Sequence, residues 1–386
     1  MTRLLRRFVL CCLLATAALL ATSSASAQLA SGSLVAWGDN EYGQTNVPAG
    51  DDFVAIAAGL YHNVALRADG SLAGWGRNAF GLTDVPDGND FVAIAAGLYH
   101  NVALRADGSL VGWGDNQFGQ RTNLPTENNI VAVAAGGNNS SALRADGSLV
   151  AWGGSNLYGQ RNVPAGNDFV AIAAGSAHGL ALRTNGSLIA WGHNEFGQRN
   201  VPAGNDFAAI VAVDYFSLAL RTNGSLAGWG RNNLGATDVP AGNDFVAIAG
   251  GYIHGLALRT DGSLAAWGYN ANGQTDVPAG TFWAIAGGGY HSLAIGTPDP
   301  AGMIASLIER VLGLNLHHGI ENSLDSKLDA AFNALLDASD NNDVAAVNGL
   351  DAFINAVEAQ RGQKIPADDA DDLIAAALGI IDLLLE

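Results

Sequence analysis

His62, His100, His178, His254 and His291 are the residues of this 386-residue chain best suited to acid–base work or metal ligation, because imidazole titrates near neutrality and binds metals through either nitrogen. Each ends a Gly-x-x-His string, and the five occupy one repeated position. Side chains distributed by repetition stand one structural unit apart, whereas zinc needs ligands converging at about 2.0–2.1 Å. A hydrogen bond from each histidine to the neighbouring unit is the plainer expectation. No nucleophile elbow, no phosphate-cradling Gly-x-x-x-x-Gly-Lys and no His-Glu-x-x-His is present. Carboxylates are plentiful, but a repeated array gives no asymmetric pair of the kind a glycosidase uses. The residues therefore predict no catalytic site, no metal and no cofactor.

The first residues read as a targeting segment. Arg3, Arg6 and Arg7 precede an apolar run from Phe8 to Ala21, and Ala25-Ser26-Ala27 supplies the small residues before Gln28. This is the pattern of a secretory signal peptide over residues 1–27, with a stub at 28–31. The run is too short for a membrane span, and Cys11 and Cys12 lie inside it rather than after a lipoprotein cleavage box. Both cysteines leave with the signal, so the mature chain is expected to rely on its core rather than on disulfides. Removing the three arginines lowers Lys+Arg from 18 to 15 against 36 Asp+Glu. So acidic a protein has no electrostatic footprint for nucleic acid or an anionic membrane. The expected location is secreted, periplasmic or cell-surface, in a bacterium.

The elements that must position any site follow from repetition. Trp37, Trp75, Trp113, Trp152, Trp191, Trp229 and Trp267 recur every 38 or 39 residues, each in a Gly-Ser-Leu-x-x-Trp-Gly string. Repeats of this length with several short alternating runs indicate a β-propeller. In one unit, 54–58 is a β-prone run, His62 to Arg67 a second, and Ser71 to Trp75 a third. The Asp69-Gly70 pair predicts a tight hairpin with positive φ, and the later Val-Pro-Ala-Gly stretch an edge or connector. The array begins at Gly32 with a third run and ends at Ile295 with a first and second. The two fragments complete one blade between them. The expected fold is an all-β seven-bladed propeller over 32–296, closed by its N- and C-terminal fragments.

The Gly-Ser-Leu-x-x-Trp-Gly-x-Asn-x-x-Gly-Gln string, with the following Ala-Ala-Gly-x-x-His-x-x-Ala-Leu, resembles the regulator of chromosome condensation repeat family. Ala36–Asn40 and Gln44–Ala49 are further similar to the bacterial type II β-lactamase inhibitory proteins within it. The resemblance implies a secreted propeller that holds an enzyme through aromatic loop residues. Nucleotide exchange, the activity of the family's founding member, does not fit a chain with a signal peptide, strong acidity and units of uniform length.

Comparison of the units with one another points to a binding face. The Arg-x-Asp/Asn-Gly hairpin hardly varies, but the opposite end does. There the first loop carries Tyr61, Tyr99, Asp214-Tyr215, Tyr252 and Tyr290, and the second places Tyr42, Phe80, Phe118, Leu157-Tyr158, Phe196, Leu234 or Asn272 before its glycine, with Tyr42, Phe118 and Tyr158 the candidate contacts. Tyrosines ringed by Asp39, Arg77, Asp115, His193 and Arg231 have the composition of a protein-binding surface. The second-loop aromatics recur regularly enough to serve inter-blade packing instead. In the fifth unit Val213-Asp214-Tyr215-Phe216 replaces Gly-x-x-His, either as a specialised surface that includes Phe216 or as drift in a tolerant loop. A protein partner is expected at this face. A glycan, a cell-wall-associated or hydrolytic role, and a purely structural surface role are the alternatives.

After Gly296 the composition changes. Thr297-Pro298-Asp299-Pro300 reads as part of a linker over 297–301, with Asp299 a helix N-cap and Pro300 at N1. Apolar stripes at Leu324, Leu328, Ala331 and Leu335, and at Val347, Leu350, Phe353 and Val357, predict a small all-α bundle of four helices over 302–386. Leu314–Leu324 and Asn348–Ile354 resemble the FIMAH domain of exported bacterial proteins, which implies an accessory or attachment unit. His317-His318 reads as a helix entry, and Asp337, Asp340 and Asp343 lack a calcium-loop spacing.

Overall fold

The computed structural model describes residues 31–298, 300–314, 316, 318–336 and 342–385. The signal segment 1–27, most of the stub, Asp299, His317, Asp337 and Asp340 lie outside the described residues. The chain parts near Gly296 into two compact units.

The first unit is seven sheets of three antiparallel strands in a propeller. Six take consecutive strands, from blade one (Phe53–Ala58, His62–Arg67, Leu72–Gly76) to blade six (Phe245–Gly250, His254–Arg259, Leu264–Gly268). The seventh joins Gly280–Gly287 and His291–Pro298 to the N-terminal strand Ser33–Gly38. In that pairing Ser33 faces Gly296 and Gly38 faces His291. The first strand of each blade lines the axis, where the Ala-rich runs leave little side chain to crowd it. Phe53 pairs with Arg67, and a bulge shifts the register before Ala55 pairs with Leu66. The same irregularity recurs at Phe91, Ile130, Phe169, Phe207 and Phe245. It frees the leading aromatic or isoleucine to enter the core.

The core lies between blades. Val54, Val64 and Leu66 of blade one pack against Phe91, Ala103 and Trp113 of blade two. The last sheet packs in both directions, with Leu293 and Ile295 against Phe53 and Trp75, and Phe282 and Ala294 against Leu258 and Leu264. Phe53 and Phe282 are wholly buried, each such ring stabilising the fold by roughly 1.5–3 kcal/mol. All seven repeated indoles are anchored the same way. Trp75 Nε1 donates to the Gln44 carbonyl of the preceding blade, and Trp37 closes the set on the Gln274 carbonyl.

Two details differ from the sequence expectations. Only the glycine of each Asp-Gly hairpin has positive φ (Gly70, +84°). Gly70 N–H bonds the Arg67 carbonyl, and the Asp69 carboxylate accepts from Ser71 N–H and Oγ, which holds an ordinary turn followed by a left-handed residue. The linker is shorter than 297–301, since the strand runs to Pro298 and a helix begins at Pro300.

Among its described residues the second unit has four helices, Pro300–Gly313, His318–Leu336, Asn342–Glu358 and Ala367–Leu385. Ile304, Leu307, Leu324, Leu328, Leu350, Phe353 and Leu373 form its core, so both predicted stripes face inward. Among the described residues no helix is long and apolar enough to cross a membrane.

Candidate functional site

Because His62 pairs with Gly76 across blade one, the Gly-x-x-His loop and the loop after Trp-Gly share one end of the propeller. The repeated histidines fasten that end from beneath. His62 Nε2 donates to Asn101 Oδ1 of the next blade at 2.9 Å, and Asn101 Nδ2 donates onward to the Leu82 carbonyl. His100, His178 and His254 bond Ser140, Ser217 and Ser292, and His291 bonds Asn63 of blade one. All five are buried, and desolvation depresses them to about 4, or about 3 for His291. These are neutral structural rings. Among the described residues no three potential ligands converge on a common point.

The rings also dictate the preceding glycines. A Cβ on Gly59 would lie 2.1 Å from His62 Cε1. In blade five Phe216 takes the histidine position and Val213 the glycine position. Val213 Cγ2 then lies 2.6 Å from where a Cβ on Gly250 of blade six would stand. Glycine at 250, where the other blades up to this point have alanine, accommodates the valine. A second covariation was equally available in the sequence. Where the histidine is missing, at Asn139 and Phe216, the acceptor in the next blade is also missing, at Gly179 and Gly255. Both glycines instead sit against the indole of their own blade.

Above this layer the predicted aromatics form three groups. Tyr42, Tyr61, Tyr290 and Tyr252 make a chain with ring centroids 5.1, 6.3 and 6.3 Å apart, and Tyr269 lies 6.4 Å from Tyr290. Tyr158 meets His193 at 4.4 Å, while Tyr215 lies 5.6 Å from His193 and 5.3 Å from Phe196. Tyr99 stands 6.3 Å from Phe80. Tyr42, Phe118 and Tyr158 are exposed, and the first-loop tyrosines are half-buried.

Two predicted contact residues are not on the surface. Phe216 is 2% exposed and packs with Leu218 and Ala236, because its register position is that of the buried histidines. Asp214 is 4% exposed with φ +34°. It accepts a hydrogen bond from Ser176 Oγ at 3.2 Å, with Arg231 Nη1 3.8 Å away. Burial pushes its carboxyl up to about 6 against the pull of Ser176, Arg231 and Tyr252, and burial followed by Asp214 raises Tyr252 to about 12. A raised carboxyl beside a serine invites a catalytic reading, but no histidine intervenes and the carboxylate is closed to solvent. Asp214 is a brace behind Arg231 and Tyr252.

Sequence reading missed Tyr269 and gave Phe196 and Phe80 no more weight than the rest of the second loop. Phe80 is the most instructive. At Tyr42, Phe118, Tyr158 and Phe196 a glutamine two residues on accepts from the aromatic N–H, as Gln44 Oε1 does from Tyr42. Blade one has Leu82 there. There Phe80 adopts φ +64° and its ring is 65% exposed, whereas Leu234, followed by Ala236 instead of glutamine, has no positive φ. Inside the ring of loops, a cavity of about 300 Å³ runs along the axis between Ala, Ile and Val side chains, with Leu60, Leu98, Ser176, Asp214 and Tyr252 at its loop end.

Comparison with known proteins agrees with this architecture. The family model for the regulator of chromosome condensation (RCC1) repeat matches residues 53–82, 91–120, 130–160, 169–198, 207–236 and 245–274. The strand-built unit belongs to the RCC1 repeat family. Prp20p from Saccharomyces cerevisiae, described with its binding to Gsp1p and histones, is similar in structure at a TM-score of 0.61 and 18% identity, covering 78% of this chain and 95% of that one. Human WBSCR16 gives 0.58 and 17% over 69% and 98%. The ectodomain of the Physcomitrella patens receptor kinase CR4 gives 0.52 and 26% over 60% and 66%. No curated protein matches the sequence.

Proposed function

We propose that this RCC1-repeat propeller is an exported, non-catalytic binding protein that holds a protein partner on its loop end. The carrying observation is the gathering of Tyr42, Tyr61, Tyr290 and Tyr252, and of Tyr158, His193, Phe196 and Tyr215, at the end where the repeats diverge. Large rings at a partly exposed surface are the usual hot-spot material of protein interfaces. Trp113, Trp152 and Trp191 are packed in the inter-blade cores, so these indoles are not open stacking platforms of the kind a glycan reading would draw on. Prp20p, a propeller of similar fold, is described with its binding to Gsp1p and histones, which supports a protein partner. Inhibition of a secreted enzyme such as a β-lactamase is the sharper form of the proposal and rests on the wording of Ala36–Asn40 and Gln44–Ala49.

The test immobilises the mature chain and its Tyr61→Ala/Tyr215→Ala variant against the exported proteins of the source cell, with purified class A β-lactamase as a separate analyte. Each lost anchor costs about 2 kcal/mol, so a genuine partner binds wild type and washes off the variant. Equal retention by both chains refutes the loop-end site. Undiminished β-lactamase turnover at saturating propeller refutes the inhibitor form alone.

A further inference from the structure

We infer that Arg77 and Arg231 are paired carboxylate receptors, so that the partner of the loop end presents two acidic side chains to it; this deepens the protein-binding reading and rests on it. The two arginines occupy the same repeat position, directly after Trp-Gly, where the other blades carry Asp39, Asp115, Gly154, His193 and Tyr269. They belong to blades one and five, three blades apart by the shorter way round.

Each is built into the same cage. Arg77 lies 4.9 Å over the ring of Tyr42 from the preceding blade and 5.8 Å over Tyr61 of its own. Arg231 lies 5.5 Å over Phe196 of the preceding blade and 5.9 Å over Tyr215 of its own. Asn233 Oδ1 accepts from Arg231 Nε at 2.8 Å, and Asp214 backs the guanidinium from its buried position. The Arg231 side chain remains 37% exposed. Arg77 makes no ion pair among the described residues.

Contrast with the hairpin end sharpens the point. There Arg67, Arg105, Arg183, Arg221 and Arg259 each carry an aspartate fifteen residues earlier in the chain, and Arg144 carries Glu127. Those charges are spent within the fold. At the loop end Arg77 keeps its planar fork for an incoming carboxylate, and Arg231 the part of its fork that Asn233 and Asp214 leave; the rings hold both in place before the partner arrives, which reduces the ordering cost of binding. The formal charge of −18 also excludes diffuse attraction of an acidic ligand, so any carboxylate that binds reports a local receptor.

The experiment follows the arginine Nε–Hε resonances of the mature chain by nitrogen-edited NMR while N-acetylglutamate amide is added. N-acetylglutamine amide is the neutral isostere, galacturonic acid the sugar-borne carboxylate, and the exposed Arg121 the internal control. The expected result is saturable shifts at Arg77 and Arg231, at affinities roughly tenfold above that of Arg121, with no response to the neutral isostere. Arg77→Gln and Arg231→Gln should each abolish one site and leave the circular dichroism spectrum unchanged. Shifts spread evenly over all arginines, equal responses to the glutamine isostere, or no saturation overturn the inference. Tighter binding of galacturonic acid overturns its assignment to a protein partner. If a partner captured through Tyr61 and Tyr215 keeps its affinity for the double glutamine variant, the inference fails while the protein-binding reading stands. If no partner is captured but both resonances titrate, the receptors stand and that reading fails.

Discussion

At the scale of single residues, the loop end is governed by which side chain answers a backbone N–H. Gln44, Gln120, Gln160 and Gln198 hold the loop aromatics in an ordinary conformation. Leu82 cannot, and Phe80 is left in the left-handed region at φ +64°. For a side chain with a Cβ that conformation costs roughly 1–2 kcal/mol. Phe80→Gly should therefore raise the urea midpoint, by about 1 kcal/mol of stability, while Phe80→Ala should not. Equal stability of the two variants would show that the backbone is relaxed there. The missing glutamine is plain in the sequence, but Ala236 lacks it as well and Leu234 has no positive φ, so the left-handed turn at Phe80 was not legible from that loss alone. Phe216 teaches the converse. Its type fitted a contact residue, yet its register placed it among buried histidines.

At the scale of the elements, the repeat pattern revealed the blades, strand order and hairpins because each depends on local alternation and turn residues. Coupling between blades was harder to see, since it joins residues about 38 positions apart. The substitution of Val213 for glycine in blade five is absorbed by Gly250 in blade six, whose added Cβ would lie 2.6 Å from Val213 Cγ2. Gly250→Ala should thus destabilise the protein by about 1–3 kcal/mol, the usual cost of overpacking. Adding Val213→Ala should return part of that loss. A double-mutant cycle in chemical denaturation measures it, and strict additivity would show that the two sites do not share space. The buried Asp214 was invisible for a related reason: burial depends on Ser176, Arg231 and Tyr252 from three different blades.

At the scale of the whole molecule, the five histidines act together on acid stability. Their folded pKa values, about 3 to 4, lie below the ordinary 6.5. The unfolded chain therefore binds more protons between about pH 6.5 and 4, and stability falls as pH falls through that window. Each histidine contributes about 1.4 kcal/mol per pH unit there. Asp214, raised to about 6, has the opposite sign between about pH 6 and 3.8, one group against five. Denaturation monitored from pH 7 to 4 should show a steep loss accompanied by uptake of several protons. His100→Asn should flatten the slope by about one proton. A pH-independent midpoint across the window would mean the rings are not buried neutral.

The pairing of Ser33–Gly38 with His291–Pro298 also has a temporal side. A ribosome makes Ser33 at the start of the propeller and its partner Gly296 at the end of it, so one strand of the seventh sheet waits while every other blade is translated. During that interval Leu34 is uncovered and the strand edges are open, the state in which β-sheet proteins associate with one another. Once seated, the strand ties the start of the propeller to its finish, and the chain must detach it before the seventh sheet can open. A chain lacking residues 33–38 should accumulate as oligomers and should return to monomer when the hexapeptide Ser-Leu-Val-Ala-Trp-Gly is added in trans. The assembly would then be a latch, and the age of its two halves, roughly tens of seconds old or newly made, would set when the protein becomes resistant to proteolysis.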